Sequence, residues 1–178
     1  MLIQSTLTDI AGNLRELAEN VEGAKVDSCH DVRIAFGQIR NGYPAQALIT
    51  LKEWSSPAAR YIYQFSVEDD APEDLYLAFA EAKDARKNDR AYCRLNPVSR
   101  LLYVGSSASL DARIKQHLGF GHRGTYAMQL CHWLPDREGE LFIRAWRFSN
   151  QTNGAVVQAI EDGLWASSKP MFGRQGAR

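Results

Sequence analysis

Tyr92, Tyr103, Arg113, His117 and Glu161 are the residues whose types and spacing can do chemistry in this chain. Arg113 and His117 are four apart, so on a helix they share a face. A planar guanidinium can hold two oxygens of a phosphate. Glu161 has Val157 four residues before it and Leu164 three after it. A carboxylate beside an apolar stripe is costly unless it is paired or holds a metal. As the one carboxylate of the set, Glu161 suits a single Mg²⁺ or Mn²⁺ that keeps most of its waters. A phenol has an ordinary pKa of about 10, so a tyrosine serves as a base only where positive charge favours phenolate. A plainer reading stands beside this one. Tyrosines on strands are commonly cross-strand packing pairs, and an Arg and a Glu on facing helices commonly form a structural ion pair.

The elements that must position these groups are read from periodicity. RAYCRL (90–95) and RLLYVG (100–105) read as two strands of a hairpin turned by Asn96, Pro97, Val98 and Ser99, with Tyr92 and Tyr103 on one face. Ser107 or Ser109 caps a helix to about Leu118, and Ile114 and Leu118 give it a buried stripe. The loop GFGHRG (119–124) follows. Thr125 caps a second helix with Leu130, Trp133 and Leu134 inward. ELFIRAWRFS (140–149) is a strand apolar on both faces, hence covered on both sides. Asn153 precedes a third helix to about Ser167, which carries Glu161. The order β-β-α-α-β-α predicts an α+β fold, a small three-stranded antiparallel sheet flanked by helices.

Ahead of this unit, 5–21 reads as a helix with Leu7, Ile10, Leu14, Leu17 and Val21 along one face, and 46–53 and 60–67 read as strands. An acidic turn at 68–71 leads to a helix from Pro72 to near Lys87, with Leu75, Phe79 and Ala82 as its apolar stripe. KNDR (87–90) is the candidate boundary between an N-terminal α+β extension, 1–87, and a second region, 88–178.

The 178 residues carry 45% hydrophobic and 24% charged side chains, the mix of a globular protein rather than a disordered one. No apolar run approaches the ~20 residues of a membrane-spanning helix, and the N-terminus has no signal-peptide pattern. Three scattered cysteines, Cys29, Cys93 and Cys131, fit reduced thiols, so a cytoplasmic location is expected. The net charge of zero hides a split. Up to Asp89 there are 9 Lys+Arg against 15 Asp+Glu; from Arg90 onward there are 12 against 6. A basic half suggests a polyanion partner.

The pattern R-A-Y (90–92), eleven residues from tyrosine to tyrosine, Y-V-G (103–105), then S-S-x-S-L-x-x-R-x-x-x-H (106–117), resembles the GIY-YIG nuclease family. Ala91-Tyr92 stands for I-Y, with Arg90 at the first glycine; Tyr103-Val104-Gly105 is a variant of Y-I-G. Arg113, His117 and Glu161 match the family's arginine, histidine and metal-binding glutamate. The resemblance covers about 88–178. It implies an endonuclease that hydrolyses DNA phosphodiester bonds by a one-metal mechanism. Tyr92 would be the general base and His117 would accept or relay its proton. Tyr103 would orient the water or phosphate, and Glu161 would hold Mg²⁺ or Mn²⁺. The chain departs from the family where an asparagine follows the glutamate helix: the segment reads Pro170-Met171-Phe172-Gly173, with Gln175, Asn150 or Asn153 as substitutes.

Further expectations concern the DNA surface. Gly119-x-Gly121-x-x-Gly124 spells a dinucleotide fingerprint but follows a helix rather than a strand. It reads instead as a loop whose His122 and Arg123 approach phosphate, or as a solvated turn. Arg144 and Arg147 face DNA or are edge charges. Lys169, Arg174 and Arg178 suit backbone contact. Cys29-His30 and Cys131-His132 lack zinc spacing. Trp133, Trp146 and Trp165 read as core. The alternatives to a nuclease are a GIY-YIG-like DNA-binding module without turnover, and an interaction protein whose acidic half covers the basic half. A homodimer would let one site per chain cut both strands.

Overall fold

A four-stranded antiparallel sheet in the order β1-β4-β2-β3 organises the computed structural model, which describes residues 3–68 and 72–176. The strands are β1 (Val26–Ala35), β2 (Arg60–Val67), β3 (Leu101–Ser107) and β4 (Glu140–Phe148). The helices are α1 (Gln4–Glu22), α2 (Phe36–Arg40), α3 (Ile49–Trp54), α4 (Pro72–Asp84), α5 (Leu110–Leu118) and α6 (Gly154–Ser168). The α+β class is as expected, but the sheet has four strands. The two regions drawn at 87/88 share it, because β1 and β2 come from the first and β3 and β4 from the second.

β4 lies inside the sheet because its sequence is apolar on both faces. Leu141, Ile143 and Ala145 enter the main core, and Phe148 packs on the other face with Ile62 and Val157. β2 follows the same alternation. Tyr61, Tyr63, Phe65 and Val67 point into the main core with Leu75 and Phe79 of α4 and Ile114 and Leu118 of α5. Ile62 points to the opposite face, against α6.

Three sequence expectations are corrected. Residues 46–53 are not a strand. Leu48 and Leu51 are the buried pair while Ile49 stays exposed, and an i, i+3 pair on one face is helical periodicity. The β-forming composition is overridden by what must be buried. RAYCRL is not a hairpin strand either. Ala91 and Cys93 donate to the carbonyls of Arg123 and Ala127, and Asn96 donates to that of Met171. The segment is stitched to two loops, and the partner of β3 is β2, with Phe65 opposite Tyr103 and Tyr63 opposite Gly105. The helix expected from Thr125 is only a 3-10 turn at Leu130–His132. β1, which the sequence pattern does not announce, pairs with β4. α1 forms, yet Leu7, Ile10 and Leu14 remain exposed. Most of the acidic turn at 68–71, and Arg178, lie outside the described residues.

Candidate active site

The site is built on the β2–β3 pair and α5. Arg113 and His117, one turn apart on α5, both reach the Tyr63 hydroxyl. His117 Nε2 lies 3.2 Å from it, and Arg113 Nε donates to it at 3.3 Å. Arg113 Nη2 donates to the Tyr103 hydroxyl at 3.4 Å, and Nη1 to Gln116 Oε1 at 2.8 Å. The Tyr63 and Tyr103 rings stack, 6.2 Å between centroids and 9° from parallel. Tyr103, Arg113 and His117 therefore come together as the sequence reading expected, with a different tyrosine as fourth member.

Tyr92 makes no hydrogen bond to that cluster, although it lines the same cleft as Tyr103 and Arg113. Its hydroxyl donates to the carbonyl of Lys87 at 3.1 Å and its ring meets Phe79 edge-on. Tyr63, opposite Gly105 and diagonal to Tyr103 on the strand that pairs with β3, stands where the hairpin reading puts Tyr92. The alternation of Tyr61, Tyr63 and Phe65 in RYIYQF was the available signal, since it puts these rings on one face of a strand.

Burial sets the protonation of the cluster. Burial pushes the Tyr63 and Tyr103 phenols up, against the nearby Arg113 charge. Burial also opposes the Arg113 charge, yet the two tyrosine oxygens keep its pKa raised. His117 is fully buried, and burial followed by the Arg113 charge pulls its pKa well below the ordinary value. The Met128 backbone N–H donates to Nδ1 at 3.5 Å. This bond assigns the ring proton to Nε2, which donates to Tyr63. Nε2 thus holds a proton rather than a vacant lone pair, and His117 does not stand ready to accept one from a tyrosine.

Gly105 is what lets these rings meet over β3. A Cβ there would lie 2.6 Å from the Tyr63 hydroxyl oxygen and 2.8 Å from Tyr103 Cε1. Gly173 does the same from the C-terminal segment. It sits at φ +93°, and a Cβ would lie 2.8 Å from Tyr103 Cε2. The slot where the resemblance calls for asparagine is therefore closed to any side chain. Asn96 clamps this segment by donating to the carbonyls of Pro170 and Gly173. Asn153 caps α6 through the Ala155 N–H, and Gln175 donates to the Asp162 carbonyl.

Glu161 comes from α6, on the other face of the sheet, and meets the edge strand. Its Oε2 accepts from Ser106 Oγ at 2.5 Å and from Gln158 Nε2 at 3.5 Å. Burial raises its carboxyl pKa, Ser106 counters that, and the Arg113 charge on the far side of β3 also lowers it. No side chain among the described residues hydrogen-bonds Oε1, and the Ser106 backbone N–H adds to its hydroxyl in favouring the carboxylate. Among the described residues no three His, Cys, Asp or Glu gather as a metal cage. One carboxylate fits a hard cation that keeps its waters, and does not fit one that needs a full protein shell.

A cleft of about 740 Å³ opens beside Tyr103 and Arg113, lined also by Lys83, Tyr92, Arg94, Tyr126 and Arg174 and by no carboxylate; the buried Tyr63 is not part of its lining. Of the residues expected to meet DNA, Arg174 lies here. His122 and Arg123 line an adjoining cleft, where Arg123 pairs with Asp89 at 3.1 Å. Arg144 gives Nε and Nη2 to Asp31, at 2.8 and 2.7 Å, the surface ion pair of an edge charge, and lies in neither of these clefts. Arg147 donates to the Trp54 carbonyl. Lys169 is exposed just past α6, in the left-handed region at φ 47°. His132 is held by Asn88 and the Gly119 carbonyl, and His30 by Thr50.

No family model, no curated protein and no solved structure matches the chain. Among the described residues no helix is long and apolar enough to cross a membrane.

Proposed function

We propose that the chain is a metal-dependent DNA endonuclease built on a GIY-YIG-like core of β2, β3, α5, β4 and α6. The order β4-β2-β3 supports a three-stranded antiparallel unit to which β1 adds an edge. The observation that carries the reading is the hydrogen-bonded cluster of Tyr63, Tyr103, Arg113 and His117 beside a cleft walled by cations. In this reading Tyr63, forty residues ahead of Tyr103, takes the role the resemblance gave to Tyr92.

The chemistry follows from the side chains. A phosphate in the cleft meets the Arg113 guanidinium, which already bridges both tyrosines. The Tyr63 phenol first releases its proton to solvent; a water oxygen then attacks phosphorus and gives its proton to the Tyr63 phenolate, while the bond to the 3′-oxygen breaks and that oxygen takes a proton from solvent. Arg113 Nε and His117 Nε2 both donate to the Tyr63 oxygen and favour its anionic form, against the burial that keeps it a phenol in the free protein. His117 is thus a positioning donor. Glu161 is the residue that would hold Mg²⁺ or Mn²⁺; it meets β3 from the opposite face, through Ser106 at the sheet edge, so the metal's charge would stabilise the departing oxygen of a phosphate that reaches round that edge. Tyr103 orients the phosphate.

The test is supercoiled plasmid incubated with Mg²⁺. Wild type nicks or cuts it, and Glu161→Ala loses the activity. Equal cleavage by Glu161→Ala would refute the metal role. A DNA-binding module without turnover is favoured by one observation, the closed asparagine slot at Gly173; that reading predicts binding without nicking. A removable acidic cover is not supported, since 1–87 supplies two of the four strands and Tyr63 itself.

A further inference from the structure

Tyr126 is 72% exposed, the most open large hydrophobic side chain among the described residues. It is not on a loose loop. Cys93 N–H donates to the Ala127 carbonyl, Thr125 N–H to that of His122, and Gln129 Nε2 to that of Thr125 at 2.9 Å. Arg113 Nη2 reaches the Tyr126 carbonyl at 3.5 Å, tying this turn to the reactive cluster. The ring is displayed outward on a fixed backbone.

What it divides is informative. On one side is the cleft with Tyr103 and Arg113. On the other is a second cleft of about 550 Å³ that contains Arg86, Arg90, His122 and Arg123. Lys83, Tyr92 and Tyr126 line both. The one carboxylate in either, Asp89, is spoken for by Arg123. Two adjoining cationic clefts suit consecutive phosphates of one strand. An exposed aromatic ring between them suits the face of a base. A base inside a perfect duplex has its faces covered by its neighbours, so the ring can be used only by a nucleotide that is unpaired.

We infer that Tyr126 is a stacking platform for an unpaired nucleotide, and that the substrate is DNA with a single-stranded or distorted segment at the site. The inference rests on the nucleic-acid part of the reading above and not on turnover.

The test is binding of labelled single-stranded DNA and of a perfect duplex of the same sequence, by fluorescence anisotropy in EDTA, with the full chain. Wild type binds the single strand more tightly than the duplex. Tyr126→Ala weakens single-strand binding by about tenfold and duplex binding by less than about twofold, and Tyr126→Trp restores the wild-type pattern. Arg94→Ala weakens both in like proportion and lowers the salt slope by about one. Equal loss on both DNAs with Tyr126→Ala, no loss on either, or tighter wild-type binding to the duplex would overturn the inference. Because no metal is present, an inactive enzyme that still gives the expected binding pattern leaves this subsite standing while the catalytic reading fails.

Discussion

The Tyr63 hydroxyl meets Nε2 of His117 at 3.2 Å inside the main core, with neither ring appreciably open to solvent. A phenol and an imidazole so placed give up hydration; each is held by the other, the phenol also by Arg113 and the imidazole also by the Met128 N–H. The relationship accounts for why a fully buried histidine is tolerated, and it makes the cluster sensitive to protonation.

His117 should impose a pH dependence on stability. Its folded pKa lies well below the ordinary 6.5. The unfolded chain therefore takes up a proton near pH 6.5 that the folded chain refuses, and stability falls as pH drops below that value. The slope for one full proton is about 1.4 kcal/mol per pH unit. Glu161, whose carboxyl is raised by burial, works the other way at lower pH. Urea midpoints of wild type and His117→Gln between pH 7.5 and 5.5 separate the two. The difference between the proteins should shrink toward acid, and a constant difference would refute a buried neutral His117.

Gly105 should tolerate no side chain. The Tyr63 hydroxyl oxygen stands 2.6 Å from where a Cβ would be. Gly105→Ala should cost about 1–3 kcal/mol of stability through overpacking and displace Tyr63 from His117. Chemical denaturation reads the first. Loss of plasmid nicking at a temperature where the variant is folded reads the second.

Restoring the asparagine of the GIY-YIG pattern should not help. At Gly173 the backbone is at φ +93° and Tyr103 is 2.8 Å from the absent Cβ. Gly173→Asn should lower the melting temperature and reduce nicking. A gain in activity with unchanged stability would mean the segment has room that this packing denies.

The helix Ile49–Trp54 makes its own prediction. Leu51 is buried and Ile49 exposed, so Leu51→Ala should cost about 2–5 kcal/mol and Ile49→Ala well under 1 kcal/mol. The reverse order would favour a strand at 46–53.

Much of the site is legible in the sequence. Arg113 and His117 share a helix face because four residues make about one turn, and Ile114 and Leu118 fix which face is buried. β4 declares its central position by apolar residues on both faces. What the letters hide is partnership. RAYCRL and RLLYVG lie close in sequence with a turn between them, so local pairing is the natural reading. The ladder of β3 is instead taken by β2, across α4 and the segment through Arg100. Sequence separation carries no record of which strand wins that edge. β1 is obscured for a related reason: as an edge strand it exposes most of its first half, and only Val32 and Ile34 near its end are buried. Glu161 is legible as a carboxylate bordering an apolar stripe. Its approach across the edge strand through Ser106 depends on the twist and end of β3, which no periodicity encodes.

The measurement that bears most directly on the account is the Mg²⁺-dependent plasmid cleavage rate of Tyr63→Phe beside Tyr92→Phe. Each variant loses one hydroxyl and little volume. Tyr63→Phe removes the oxygen that Arg113 and His117 converge on and should slow cleavage by about a hundredfold or more. Tyr92→Phe removes a hydroxyl that bonds the Lys87 carbonyl and leaves the ring in the cleft wall, and should leave the rate within about threefold of wild type, as expected for loss of one partly buried hydrogen bond. Wild-type rates from Tyr63→Phe, or the larger loss from Tyr92→Phe, would contradict it.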